Sequence, residues 1–407
     1  MKTFATLGLA LILAAGSQAF CATGQEPRPP SNLEMPFLAR DALGARWTAM
    51  GGACIAAVDD GSALYMNPAG LAKIRRIELL TTFQKESYDI DTEWYGGRAS
   101  RSVSSTRLRE LALSFPLPTY RGSLVLAGSV FRTHLLDTYS VREVTSFPGP
   151  RYRDAEETGG ALTAWAGAIA MQVSPQAFVG FEAHAFTGDY TRNDVWDPWN
   201  DCENAQFDWD TDLGGYGASF GLQYQPIPLA SMGLLLRSPQ RITLKGDIVE
   251  PFETCSGEFF IVDDRATLPY SMGAGVAFMP ATFLVTADAY YTNWNELDYP
   301  GFTRDPDTDE YLYDSTIDLR CGVEYTVPAY PLRFRAGYAH IPLELIWYDV
   351  VKDRKAFSLG AGAIIESTVA VDLAWQRTGY EREILGDVQY NEKRTISRII
   401  LTVAYRF

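Results

Sequence analysis

The chain has 407 residues, 47% of them hydrophobic and 13% aromatic, with only 21% charged and a formal net charge of −15. Such a composition excludes a solvated, disordered tail, and the acidic balance argues against a nucleic-acid binder, because phosphate binding depends on a basic surface. The length accommodates two ordinary soluble domains or one large closed sheet.

In chain order, Met1 and Lys2, an apolar run from Phe4 to Ala15, and small residues at Ser17 and Ala19 predict a signal peptide over 1–19. Phe20 does not fit the small residue a lipoprotein signal needs before Cys21, so Cys21 is not read as lipidated. No later uncharged apolar run approaches the ~18 residues of a membrane-spanning helix. A membrane-spanning mature chain would therefore cross with strands.

Residues 20–75 form an N-terminal extension that differs in kind, glycine-rich and with short apolar runs. Gly51 and Gly52 permit positive φ or close backbone approach, and Asn67-Pro68 followed by Ala69-Gly70 marks a turn.

From residue 76 to 407 the dominant signal is a period of two. Val369, Val371, Leu373 and Trp375 alternate with Ala370, Asp372, Ala374 and Gln376. Ile317, Leu319, Cys321, Val323 and Tyr325 alternate with Asp318, Arg320, Gly322 and Glu324. Strand cores are predicted at 76–86, 108–116, 122–133, 159–173, 176–188, 213–225, 229–245, 268–279, 281–293, 315–326, 331–340, 355–365, 368–378 and 396–407, fourteen in all. Spans of roughly ten residues suit tilted strands crossing a hydrocarbon layer. Tight turns, such as Pro118 to Arg121 and Glu366-Ser367, alternate with long links, such as 87–107 and 189–212. That sorting is expected of bacterial outer-membrane barrels. The predicted fold is an all-β, fourteen-stranded antiparallel transmembrane barrel. At its end Ile399, Leu401, Val403, Tyr405 and Phe407 resemble the signal read by the barrel-assembly machinery.

Chemistry-bearing residues are sparse. Five cysteines show no zinc spacing; Cys202 and Cys255 fall in two predicted outer loops, where an oxidising compartment permits a disulfide. Asp305, Asp307, Asp309 and Glu310 lack the glycine and distal glutamate of a calcium loop and read as a solvated acidic link, so no metal or cofactor is predicted. His184 and Glu182 suggest a Ser/His/acid arrangement, but no GxSxG nucleophile motif accompanies them and no enzyme is predicted.

The stretch DDGSALYMNPAGLA, Asp59 to Ala72, resembles the hatch of the long-chain fatty acid transporter family, which includes aromatic-hydrocarbon channels. Leu236-Arg237-Ser238 leading to Leu244-Lys245-Gly246, Thr267-Leu268-Pro269, and Tyr291-Thr292-Asn293-Trp294 follow in the order that family shows. The resemblance implies a barrel plugged by its N-terminal segment in the outer membrane of a Gram-negative bacterium, among lipid and lipopolysaccharide. A hydrophobic small molecule would enter from the outer loops and leave sideways at a kinked strand. Gly51, Gly52, Asn67, Pro68 and Ala69 would seat or gate the plug. A carboxylate-bearing solute would need a cation, for which Arg237, Lys245, Arg333 and Arg335 are candidates, with His184 beside them; lumenal charge pairing is the alternative reading of the four. The hatch also resembles the barrel component of type IX secretion, which implies a protein shuttle instead, and a purely structural barrel is a further reading.

Overall fold

The structure, a computed structural model, describes residues 41–94, 97–144, 152–197, 205–251, 257–299, 311–345, 350–384 and 390–407. The predicted signal peptide over 1–19, Cys21, Cys202, Cys255 and the Asp305–Glu310 cluster lie outside the described residues.

One antiparallel sheet contains seventeen segments: β1 (Glu78–Trp94), β2 (Gly97–Leu117), β3 (Leu124–Leu135), β4 (Thr138–Val144), β5 (Tyr152–Ser174), β6 (Ala177–Asp197), β7 (Ala205–Ile227), β8 (Ala230–Arg237), β9 (Gln240–Pro251), β10 (Gly257–Leu268), β11 (Ser271–Phe278), β12 (Phe283–Thr292), β13 (Thr316–Thr326), β14 (Leu332–Ile341), β15 (Val350–Ile365), β16 (Val369–Ile384) and β17 (Tyr390–Arg406). Short breaks at 136–137, 238–239 and 269–270 interrupt three strands, so the seventeen segments make fourteen strands. Glu78 pairs with Ser114 of β2 on one side and Arg406 of β17 on the other, which closes the sheet into a barrel. All fourteen predicted cores coincide with these strands.

The strands run well past their predicted outer ends. Residues 87–94 and 97–107, expected in a long link, continue the β1–β2 ladder up to Trp94↔Gly97. In β1 the alternation continues past residue 86, with Tyr88 and Ile90 buried between outward Ser87, Asp89 and Asp91, whereas residues 98–106 of β2 are almost wholly polar and small on both faces and their backbone ladder needs no side-chain pattern to continue. The opposite ends turn tightly. Glu366 and Ser367 both have positive φ (49° and 56°), the geometry a two-residue hairpin demands even without glycine.

Outward side chains form an apolar belt. Leu79, Phe83, Leu111, Trp165, Phe181, Phe220, Leu234, Phe334, Leu359, Leu373 and Ile399 are all exposed to the surroundings. A water-soluble protein rarely exposes so continuous a band. The inward face is buried and mixed: polar residues surround the N-terminal segment, and toward the outer end an apolar side on β3 to β10 faces buried charged residues such as Arg382, Glu392 and Arg394.

That segment, residues 43–74, packs against the inward face of the wall. Helix α1 (Ala45–Ala49) lies along β14 to β17, the short helix α2 (Ala63–Met66) approaches β3 and β5, and a 3-10 turn (Pro68–Lys73) rests on β5 to β7. Between them the Cys54 and Ile55 amides meet β12 at Asp288, and the Gly61 amide meets β1 at Glu78. The segment thus touches the wall around most of its circuit.

Candidate functional site: the lumen and the segment packed in it

Backbone meets backbone where the segment crosses β6 to β14, and glycine makes this possible. A Cβ on Gly233 of β8 would stand 2.5 Å from the Ile55 carbonyl oxygen, and one on Gly322 of β13 would stand 2.8 Å from Met50 Cα. The segment reciprocates with Gly51, at φ 69°, whose own Cβ would meet the Tyr338 and Cys321 backbone at 2.7–2.8 Å. Gly52, at φ 80°, leaves room for the Arg320 guanidinium in the same way. Asn67, fully buried, donates from Nδ2 to the Ile55 carbonyl (2.7 Å) and lies 3.3 Å from the carbonyls of Leu222 and Leu234, so one amide ties the segment to itself and to β7 and β8. Its Oδ1 accepts from the Ala69 amide (3.2 Å), and Pro68 begins the 3-10 turn.

On the β14–β17 side the seating is ionic. Glu324 accepts from Arg46 Nε (3.0 Å) and Arg335 Nε (2.6 Å), Arg335 Nη1 reaches Asp372 (2.6 Å), and Arg333 lies 3.8 Å from Glu324. Arg46 also pairs with Asp59 at 2.6 Å. A polar cavity of about 90 Å³ lies here, lined among others by Arg46, Asp59, Arg333, Asp372 and Arg406. It is smaller than the ~300 Å³ at which small-molecule pockets begin. Asp60 accepts from Trp47 Nε1 (3.0 Å) and the Ser62 amide (3.1 Å); burial, reinforced by Asp59, raises its carboxyl to about 7.

The predicted cation candidates do not converge. Arg237 donates to the Tyr65 carbonyl (2.7 Å) and stacks over the Tyr65 ring at 4.4 Å; Arg333 and Arg335 belong to the Glu324 cluster. Lys245 is a correction. It faces outward, 65% exposed and 3.8 Å from Asp263, because Ser238-Pro239 inserts a phase change. Inward residues are odd-numbered in β8 (Ser231, Gly233, Leu235, Arg237) and even-numbered in β9 (Gln240, Ile242, Leu244). His184 faces inward, its Nδ1 2.6 Å from Glu182, whose second oxygen accepts from Ser219 (2.7 Å). Serine and histidine share one carboxylate and do not meet each other, so the nucleophile–base contact of a triad is not formed.

Above the segment the inward side chains are apolar on the β3 to β10 side, while on β15 to β17 Arg354 pairs with Glu344, and Arg382 and Arg394 share Glu392. Phe131, Leu162, Phe186, Leu213, Ile242 and Leu268, each under 5% exposed, form one cluster with Trp47, Met50, Tyr65 and Leu71 of the segment. Tyr65 makes the junction, its ring 5.1 Å from Phe131.

At this level the wall loses one ladder, a feature no sequence signal revealed. β2 and β3 pair from Leu117↔Leu124 up to Glu110↔Phe131, and both continue beyond without pairing to each other. Arginine side chains span the interval: Arg109 donates to the Thr133 carbonyl (3.2 Å), and Arg107 pairs with Asp137 at the β3–β4 break. Adjacent arginines at alternating positions beside a serine-rich stretch were visible in the sequence, but their partners lie 24 or more residues away.

No protein-family model matches the sequence, and no curated protein matches it. Solved structures do. A Pseudomonas aeruginosa FadL homologue aligns at 16% identity with a TM-score of 0.65, covering 91% of this chain and 100% of its own. The Pseudomonas putida toluene transporter TodX aligns at 13% identity with a TM-score of 0.66, covering 91% and 99%. The monoaromatic hydrocarbon channel CymD aligns at 15% identity with a TM-score of 0.61, covering 90% and 98%. At such identities the likeness establishes a shared fold over nearly the whole chain.

Proposed function

We propose that this protein is an outer-membrane diffusion channel for the uptake of hydrophobic compounds in a Gram-negative bacterium. Residues 1–19 serve as the export signal, 20–75 as extension and plug, and 76–407 as the barrel. The observation that carries the reading is the apolar lining on the β3 to β10 side of the outer lumen, continuous with the segment beneath it. An aqueous porin has a polar interior. Here water gains nothing, whereas an apolar solute entering such a lumen is favoured by roughly 25 cal/mol per Å² of surface removed from water.

The exit is lateral, through the interval between β2 and β3 above Glu110↔Phe131. The interval lies beside the upper apolar belt at Leu108 and Phe83, with β4 packed close to β1 and β2, and a solute leaving there need never cross the glycine-packed seat of the segment. Diffusion down a gradient into lipid needs no cofactor or enzymatic step. The described lumenal arginines already have partners, Arg335 on Glu324 and Asp372, Arg237 on the Tyr65 carbonyl, Arg320 on Asp318, Arg354 on Glu344, Arg382 and Arg394 on Glu392, and Arg398 on Glu86 and Asp41, which favours a neutral hydrocarbon over a carboxylate. Fold likeness to hydrocarbon and FadL-type channels supports the same solute class. Phe407, 64% exposed and edge-on to Tyr405 at 4.8 Å, is available to the barrel-assembly machinery.

Uptake of a labelled aromatic hydrocarbon and a labelled long-chain fatty acid by a deletion strain, with and without the restored gene, tests the proposal. Hydrocarbon uptake should fall on deletion and return on restoration. Unchanged uptake of both, with co-purification of secreted proteins, would point to the secretion shuttle instead.

A further inference from the structure

The outer surface of the barrel is electrically lopsided just beyond the apolar belt. On one flank, exposed Asp189, Asp210, Asp212, Asp247 and Asp263 project from β6, β7, β9 and β10, with Asp189 directly opposite Asp212 and Asp210 opposite Asp247. On the other flank, β15 to β2 carry a different surface. Across adjacent strands the register aligns Phe357, Arg377, Ser397, Ser87 and Ser104 in one row, and Lys355, Gly379, Thr395, Asp89 and Ser102 in the next. Lys85 lies one row below, beside Ile399, and Lys393 one row above, beside Glu381.

Three features coincide there. Lys85, Lys355, Arg377 and Lys393 are exposed and make no ion pair with any described residue. Between them stand small hydroxyl side chains, able to donate hydrogen bonds to an oxyanion. Immediately below, Phe357, Leu359, Trp375, Ile399 and Phe83 are exposed and apolar, a surface suited to acyl chains. Of the carboxylates on this face, Glu381 pairs with Lys352, while Asp89 and Asp91 are opposing charges, Asp91 directly across from Lys393, so the basic excess lies in the lower rows at Lys85, Arg377 and Lys355. Cations over hydroxyls over an apolar belt is the chemistry of a phosphorylated lipid headgroup held at the surface of a bilayer. On a chain of net charge −15, an unpaired basic shelf is a local departure from the overall balance.

We propose that this flank binds the phosphorylated headgroup of lipid A in the outer leaflet. The inference rests on the outer-membrane placement argued above, and adds a fixed lipid partner and an azimuthal orientation. The site also adjoins the β2–β3 interval, since β2 supplies Ser102 and Ser104 on the outside and Arg107 and Arg109 at the interval. A lipid anchored there would border the proposed lateral exit.

The test uses the full chain in detergent, titrated with diphosphoryl lipid A and with its dephosphorylated form, followed by native mass spectrometry. The diphosphoryl form should bind preferentially, and excess inorganic phosphate should not displace it. Joint replacement of Lys85, Lys355, Arg377 and Lys393 by serine should weaken that binding by at least about tenfold, since each basic residue contributes to attraction at an anionic surface. Replacement of Asp210 and Asp212 by asparagine should leave it unchanged. If the fourfold variant does not fold, the Lys85→Ser/Arg377→Ser and Lys355→Ser/Lys393→Ser pairs serve instead. Equal affinity of variant and parent, equal affinity for the two lipids, or displacement by inorganic phosphate would each overturn the proposal. None of these readouts depends on solute uptake, so a failed channel reading and a failed lipid site are distinguishable.

Discussion

Replacing Gly233 and Gly337 with alanine tests whether the N-terminal segment is seated by backbone contact. On Gly233 the new methyl carbon would lie 2.5 Å from the Ile55 carbonyl oxygen and 2.9 Å from Ala56 Cα. On Gly337 it would meet Gly51 Cα at 2.8 Å, with Met50 and Gly51 backbone atoms closer still. The obstructing atoms are main chain on both sides, so neither can rotate away. Overpacking of this kind costs about 1–3 kcal/mol per site. Against it stands a gain of roughly 0.5–1 kcal/mol for replacing glycine by alanine within a strand. Because the two sites share no partner, their effects should add, to a net loss near 2 kcal/mol, or about thirtyfold in the ratio of seated to unseated segment. Gly167 supplies the control, since a Cβ there would meet nothing within 4 Å and only the gain should remain. The assay is the temperature at which the barrel loses its compact migration on a detergent gel, with single-channel conductance in planar bilayers as the second readout. The double variant should unfold earlier and leak ions, while Gly167→Ala should unfold later. A double variant that is as stable and as tight as the parent would refute backbone seating.

Removing Glu324 should be more damaging than removing any one arginine it holds. Glu324→Ala removes a charge-assisted hydrogen bond from Arg46 and from Arg335 at once, leaving Arg46 with Asp59 alone and Arg335 with Asp372 alone, at about 1.5–3 kcal/mol per lost bond in denaturant unfolding. Asp60 gives a pH dependence. Its folded carboxyl, raised by burial from the ordinary aspartate value to about 7, holds a proton that the unfolded chain releases, so stability should fall as pH rises from about 4 to about 7. Asp60→Asn should flatten that slope in thermal melts recorded across the interval. Across the β2–β3 interval, Arg107→Cys with Asp137→Cys, joined by a short reducible bridge, should block hydrocarbon uptake until reductant is added. Full uptake by the bridged form would exclude this exit.

The barrel was legible because lipid on one side and a filled lumen on the other impose a period of two, as in Ile317 to Tyr325. Strand lengths were less so: Tyr88 and Ile90 carry the alternation of β1 past residue 86, but residues 98–106 of β2 are almost wholly polar and small on both faces and their ladder leaves little trace in hydrophobicity. Lys245 was misplaced for a local reason, the phase change at Ser238-Pro239, which a proline inside a strand hints at but does not size. Pairing of Arg333 and Arg335 with Glu324 was foreseeable as charge balance. Asn67 could be read as a turn residue, but its approach to the carbonyls of Leu222 and Leu234 is non-local and follows only from the assembled barrel. For the same reason the β2–β3 interval, a matter of main-chain pairing, left no residue-type signature.

The most direct measurement is hydrocarbon uptake by a deletion strain carrying a version with Leu213→Asp and Ile242→Asp, two inward positions of the apolar lumen. The altered protein should reach the membrane in heat-modifiable form and fail to restore uptake, whereas Lys245→Ala, on the outer face, should restore it fully. Normal uptake through the acid-lined lumen would contradict the account.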